Sequence, residues 1–132
     1  MPAPVTVLLV DEDPEVLDIT ETFLERADEG LQVTAVESVT EALDSVVDEE
    51  FDCVVSDYKM PKMDGLTLYE ELSDRTGTLP FFLFTAKSGA EIERQVAETG
   101  ITGYVQKGTG TEQYDELASR IREATATDGR NC

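Results

Sequence analysis

The stretch VTVLLV, Val5 to Val10, decides the fold. Apart from Thr6 every residue in it is apolar, so the segment has no wet face. A strand of that kind is buried on both sides, as in a parallel sheet covered by helices. Reading outward, Asp13-Pro14 supplies an N-cap and a first-turn proline, and Val16, Ile19, Thr20, Phe23, Leu24 and Ala27 recur at helical spacing before Gly30 ends the helix. LQVTAV, Leu31 to Val36, reads as a second strand. Ser38 with Glu41 forms a capping box for a helix striped by Val39, Ala42, Leu43, Val46 and Val47. Cys53 to Ser56 is a third buried strand. The loop from Asp57 to Asp64 holds Pro61 and is closed by Gly65; a short helix then turns Leu66, Tyr69 and Leu72 inward until Thr76-Gly77 breaks it. PFFLFT, Pro80 to Thr85, is the fourth strand. The helix after it, Ala90 to Thr99, is thinly apolar, with Ile92, Val96 and Ala97. Gly100 to Gly103 leads into a fifth strand around Tyr104 to Gln106, and after the turn at Gly108 to Gly110 a last helix carries Tyr114, Leu117, Ala118 and Ile121. Alternating strands and helices imply right-handed crossovers, hence an α/β fold with a five-stranded parallel sheet, doubly wound as (βα)5. One domain is expected over residues 1–126, with a frayed tail at 127–132.

Composition narrows the function. The chain has 132 residues, enough for one domain to bury its own core without disulfide or metal staples. Against 29 Asp and Glu stand 10 Lys and Arg, a net charge of −19. Spread over the roughly 7,000 Å² that a folded domain of this size exposes, such a charge disfavours direct contact with nucleic-acid phosphates or an anionic membrane. The longest apolar stretches, Val7 to Val10 and Phe81 to Phe84, are too short to span a bilayer. Met-Pro-Ala-Pro at the amino terminus carries no signal-like segment, and Cys53 and Cys132 read as free thiols, so a cytoplasmic location is expected. There is no His. Imidazole chemistry is therefore excluded, and any reaction must use carboxylates, hydroxyls and lysines.

In open parallel sheets, ligands bind beyond the carboxyl ends of the strands, where strand order reverses. Asp11, Glu12 and Asp13 follow the first strand, Asp57 the third, Thr85 and Lys87 the fourth, and Lys107 the fifth. Carboxylates gathered this way repel: two unit charges 4 Å apart cost about 4 kcal/mol at an effective dielectric near 20. A counter-cation is needed, and an all-oxygen set with open positions suits Mg2+. A phosphoryl group arriving at Asp57 would carry charge on its outer oxygens, which metal, Lys107 and the Thr85 hydroxyl are suited to neutralise. The constellation reads as acyl-phosphate chemistry.

On these residues the chain resembles a receiver domain of two-component signalling, the family of the chemotaxis response regulator, over about residues 4 to 125. The most specific match is DYKMPKMDG, Asp57 to Gly65, in which Asp57 fits the phosphoacceptor. The resemblance implies a flavodoxin-like sheet of order 2-1-3-4-5. It also implies Mg2+ held by Asp11, Glu12, Asp57 and the backbone carbonyl of Lys59. Thr85 corresponds to the switch hydroxyl, Tyr104 to the switch aromatic and Lys107 to the lysine that contacts the phosphoryl group. Lys59 and Lys87 fall at the two variable positions that tune hydrolysis, where as cations they are expected to shield the acyl phosphate and lengthen its lifetime. The implied function is acceptance of a phosphoryl group from a histidine kinase or phosphotransfer domain. The domain would catalyse its own phosphorylation and dephosphorylation rather than act as an enzyme on other substrates, and would switch the face formed by the fourth helix, fifth strand and last helix. The acidic surface and the ending QKGTGTEQYDELASRIREA are similar to receiver modules of salt-loving archaea, several of which precede sensor and histidine-kinase domains in one chain.

Two departures stand out. The acidic pair is Asp-Glu, with one methylene more at Glu12 than Asp would give. Gly108 stands where such domains usually have Pro after the lysine, and since a cis bond without Pro costs roughly 3 to 4 kcal/mol, a trans bond or a rearranged loop is expected. VLLVDEDP also fits the Asp-x-Asp signature of haloacid-dehalogenase-type phosphatases, with Asp11 as nucleophile and Asp13 as acid, although the chain is short for them. A receiver-like module that binds partners without phosphorylation is the third reading.

Overall fold

Successive residues of a strand point to opposite faces, and along Val5 to Val10 that alternation divides the core in two. The structure is a computed structural model that describes residues 4–58, 60, 63–77, 79–86, 89–108 and 110–127. In chain order the elements are β1 (Val5–Val10), α1 (Pro14–Ala27), β2 (Leu31–Val36), α2 (Val39–Asp48) and β3 (Cys53–Ser56), then α3 (Gly65–Thr76), β4 (Phe81–Thr85), α4 (Ala90–Thr99), β5 (Gly103–Gln106) and α5 (Glu112–Thr127). All strand pairs are parallel, in the order β2-β1-β3-β4-β5. Val5, Val7 and Leu9 join Leu17 and Leu24 of α1 and Leu117, Ala118 and Ile121 of α5. On the opposite face, Leu8 and Val10 join Val39 and Ala42 of α2, Leu66, Leu68 and Leu72 of α3, and Ile92 of α4. This is the doubly wound α/β arrangement expected from the sequence.

Local chemistry sets the helix ends. The Asp13 carboxylate accepts from the N–H groups of Glu15 and Val16, Ser38 Oγ from Glu41 N–H, and Asp64 Oδ1 from Thr67 N–H, each satisfying a donor that the first helical turn leaves open. α1 stops at Ala27 rather than reaching Gly30. Asp28 ends it: the Asp28 N–H donates to Leu24 O, while its carboxylate accepts from Gly30 N–H at 2.9 Å and from Arg122 Nε and Nη2 of α5 at 2.9 and 2.8 Å. Phe23 of α1 stacks on Tyr114 of α5, with ring centroids 5.0 Å apart.

Three helical faces differ from the expected stripes. α1 buries Leu17, Thr20 and Leu24 and leaves Ile19 and Ala27 exposed, a rotation by about one residue that brings the i, i+3, i+7 set under the sheet. The Thr20 hydroxyl has no hydrogen-bond partner among the described residues. In α2, Val47 is 71% exposed, because Val39, Ala42, Leu43 and Val46 already complete the inward stripe. In α3 the fully buried residue is Leu68, whereas Tyr69 is half-buried with its ring edge-on to Phe81. No helix among the described residues is long and apolar enough to cross a membrane.

Candidate functional site

Three strand ladders continue one residue past their carboxyl ends. Asp11 N–H donates to Val36 O at 3.2 Å, Asp57 N–H to Val10 O at 3.0 Å, and Lys107 N–H to Thr85 O at 2.7 Å. Residues that follow different strands are thereby fixed along one edge of the sheet, beside the β1–β3 boundary where the order reverses.

There Lys107 joins two carboxylates. Its Nζ lies 3.0 Å from Asp11 Oδ2 and 3.6 Å from Asp57 Oδ1; the first is a charge-assisted hydrogen bond and the second a longer ion pair. Nζ also lies 5.7 Å from the centre of the Phe84 ring. Asp11 is 5% exposed, and its second oxygen accepts from Asp13 N–H at 2.9 Å. Asp57 keeps 19% of its side chain open to solvent and accepts from Tyr58 N–H at 2.8 Å. Burial pushes the Asp57 carboxyl above the ordinary aspartate value, and the nearby Asp11 charge pushes the same way. Lys107 and the Tyr58 N–H pull against this without cancelling it.

Close packing holds the Asp57 backbone. Ser56 Oγ donates to Asp57 O at 2.8 Å, and Gly65 N–H donates to Tyr58 O at 2.7 Å. A Cβ on Gly65 would fall 2.6 Å from Asp57 O and 2.7 Å from Leu83 Cδ2. In the sequence Ser56 is a strand end and Gly65 a loop closure; neither position shows that both approach the Asp57 carbonyl. A small residue eight positions after Asp57, at the first turn of a helix, is the trace that close approach leaves.

The remaining expected residues divide. Thr85 is buried at the end of β4, and its carbonyl is bound by the Lys107 N–H. Tyr104 is half-buried in β5, with its hydroxyl donating to Glu93 Oε2 of α4 at 3.4 Å. Glu12 is exposed. Lys59 and Lys87 lie outside the described residues, as does Cys132; Cys53 is buried in β3. After Lys107 the described backbone has no cis peptide bond, and Gly108 N–H donates to Gln113 Oε1 of α5. Lys107 nevertheless reaches both carboxylates.

No group of three His, Cys, Asp or Glu close enough to hold a metal ion occurs among the described residues. Mg2+ commonly uses only one or two carboxylates and keeps several waters. Asp11 and Asp57, two oxygen donors sharing one ammonium at a partly open edge, fit such an ion. The raised Asp57 carboxyl is what a second nearby positive charge would relieve.

A family model described as the response regulator receiver domain matches residues 7–122. The sensor histidine kinase GacS of Pseudomonas protegens is 37% identical over 116 residues, covering 84% of this chain and 12% of that one. The DNA-binding transcriptional regulator NtrC of Klebsiella pneumoniae is 31% identical over 112 residues, covering 85% of this chain and 24% of the relative. The chain thus spans about a quarter or less of these two relatives' length. A CheY-like receiver domain structure from Methanospirillum hungatei superposes with a TM-score of 0.82 at 24% identity, covering 98% of this chain and 100% of the other; it shares the fold.

Proposed function

The chain belongs to the response regulator receiver domain family, and on that footing we propose that Asp57 accepts a phosphoryl group from a histidine kinase or phosphotransfer domain. The observation that carries this reading is the Lys107 ammonium set between Asp11 and Asp57. In the transfer an Asp57 oxygen bonds to phosphorus as the bond to the donor's histidine nitrogen breaks, and the nitrogen keeps that electron pair. Charge on the three outer phosphoryl oxygens must then be met by fixed donors. Lys107 supplies an ammonium and Thr85 a hydroxyl. Asp11, Glu12, Asp57 and the Lys59 carbonyl are the groups we assign to Mg2+, which receiver domains generally bind at the phosphorylation site and which supplies positive charge there. Lys59 and Lys87 lengthen the lifetime of the acyl phosphate by shielding it.

The modification adds about −1.5 to −2 charges. Thr85 and Tyr104 follow that charge inward, and the face made by α4, β5 and α5 shifts with them. The domain catalyses its own phosphorylation and dephosphorylation and turns over no separate substrate. A phosphatase reading through Asp11 has less support, because both Asp11 oxygens are engaged and Asp13 caps α1. Incubation with Mg2+ and acetyl phosphate should add one phosphoryl group to the intact protein by mass spectrometry, and none to Asp57→Asn. Label retained in that variant sinks the assignment; no label on either favours an interaction module that works unphosphorylated.

We further propose a cytoplasmic location, an acidic surface adapted to high salt as in halophilic archaea, and a sensor or kinase module as a further part of the native protein. The net charge of −19 supports the second, and the fraction of GacS that the chain covers is consistent with the third.

A further inference from the structure

Tyr58 touches the acceptor carboxylate at one end and α4 at the other. Its N–H donates to Asp57 Oδ1 at 2.8 Å, its carbonyl accepts from Gly65 N–H at 2.7 Å, and its hydroxyl donates to Gln95 Oε1 at 2.8 Å. The backbone of Tyr58 is thus pinned on both sides while its ring reaches across to a helix 37 positions later.

That helix is loosely held. Only Ile92 of α4 is buried, and its N-cap, Gly89, offers no side-chain hydrogen bond. From β5, Tyr104 reaches Glu93 at the longer distance of 3.4 Å. Glu93 and Gln95 are two positions apart, about 200° around a helix of 3.6 residues per turn, so the two tyrosines hold α4 from opposite sides. The shorter of the two bonds comes from the residue adjoining Asp57.

We propose that the Tyr58–Gln95 hydrogen bond is a latch that keeps α4 in its unphosphorylated position and reports the state of Asp57 to it, a route separate from Thr85 and Tyr104. Tyr58 and Gln95 act as positioning residues, and the proposal rests on Asp57 being the phosphoacceptor. The Tyr58 N–H is bound to a carboxylate oxygen. When a bond to phosphorus forms at this carboxylate, the charge on its oxygens falls and bulk arrives beside them, so the N–H bond weakens and the Tyr58 ring is free to leave Gln95. Coupling of this kind is reciprocal: whatever holds the latch closed also disfavours phosphorylation.

The test uses the whole chain as wild type, Tyr58→Phe, Gln95→Leu and the double variant. Amide hydrogen exchange is followed with and without Mg2+ and acetyl phosphate, and the 15N–1H resonance of Tyr58 is recorded in Gln95→Leu. A net hydrogen bond of ordinary strength corresponds to about fivefold. The unmodified single variants should exchange α4 amides about fivefold faster than wild type, with α1 and α5 unchanged, and the double variant no faster than either. Phosphorylated wild type should reach the same rates, and the Tyr58 amide resonance should move in Gln95→Leu although that substitution lies on α4. Labelled wild type together with wild-type α4 exchange in the unmodified variants overturns the latch alone. Failure of wild type to take label overturns the phosphoacceptor reading and the coupling with it.

Discussion

At Gly65 the first turn of α3 comes so near Asp57 that no side chain fits between them. Alanine there would drive Asp57 O, Leu83 or both aside, and overpacking of this kind typically costs about 1–3 kcal/mol. Gly65→Ala should therefore lower the unfolding free energy measured by urea denaturation by an amount in that range. It should also slow phosphorylation by acetyl phosphate more than the lost stability alone explains, since the displaced atom belongs to Asp57 itself. The placement of Asp11, Asp57, Thr85 and Lys107 was legible from sequence for a topological reason: Asp11, Asp57 and Lys107 are the first charged residues after their strands and Thr85 the first polar residue of its own, and parallel strands end on the same edge. Ser56, Tyr58 and Gln95 were not: Ser56 matters for the direction in which its hydroxyl turns, onto the Asp57 carbonyl, and Tyr58 and Gln95 for a distance across the fold. No periodicity or composition encodes that distance.

At the scale of elements, α1 and α5 are clamped by the Asp28–Arg122 fork and the Phe23–Tyr114 stack. Arg122, with help from Gly30 N–H, holds the Asp28 carboxyl below its ordinary value. An acid whose value is lowered by folding stabilises the fold above its unfolded value, near 3.9, and loses that contribution as pH falls through the folded value. Both side chains are partly open to water, at 25% and 41%, so screening limits the effect. Asp28→Asn should cost about 1 kcal/mol at pH 7, and the gap to wild type in chemical denaturation should close as pH drops below 4; a gap that persists at pH 2 would assign it to packing. This pair joins residues 94 positions apart, and a contact that distant leaves no mark on the local signals that place the end of α1 at Gly30. Gly30 is a sound stop signal locally, but a cap fixed from another helix overrides it. Strand bounds were read more closely than helical faces, since a strand buried on both sides admits no rotation. An amphipathic helix turned by one residue still shows a plausible stripe.

For the whole molecule, electrostatics is a property of the net charge of −19 rather than of any pair. The Debye length is about 30 Å at 0.01 M salt and about 3 Å at 1 M, so repulsion across the domain is felt in the first case and suppressed in the second. Melting temperature should rise between low and molar KCl; equal values at the two would refute adaptation to salt while leaving the receiver fold as it is. The parallel topology carries a different consequence. Lys107 and Asp11 lie 96 positions apart, and they meet only once β5 has been laid beside β4 as the outermost strand. A nascent chain still lacking β5 has Asp57 and Asp11 but not the Lys107 ammonium that joins them. On the proposed reading of Asp57, phosphorylation then depends on the domain having folded through β5, and copies of the domain without that strand should take up the phosphoryl group poorly.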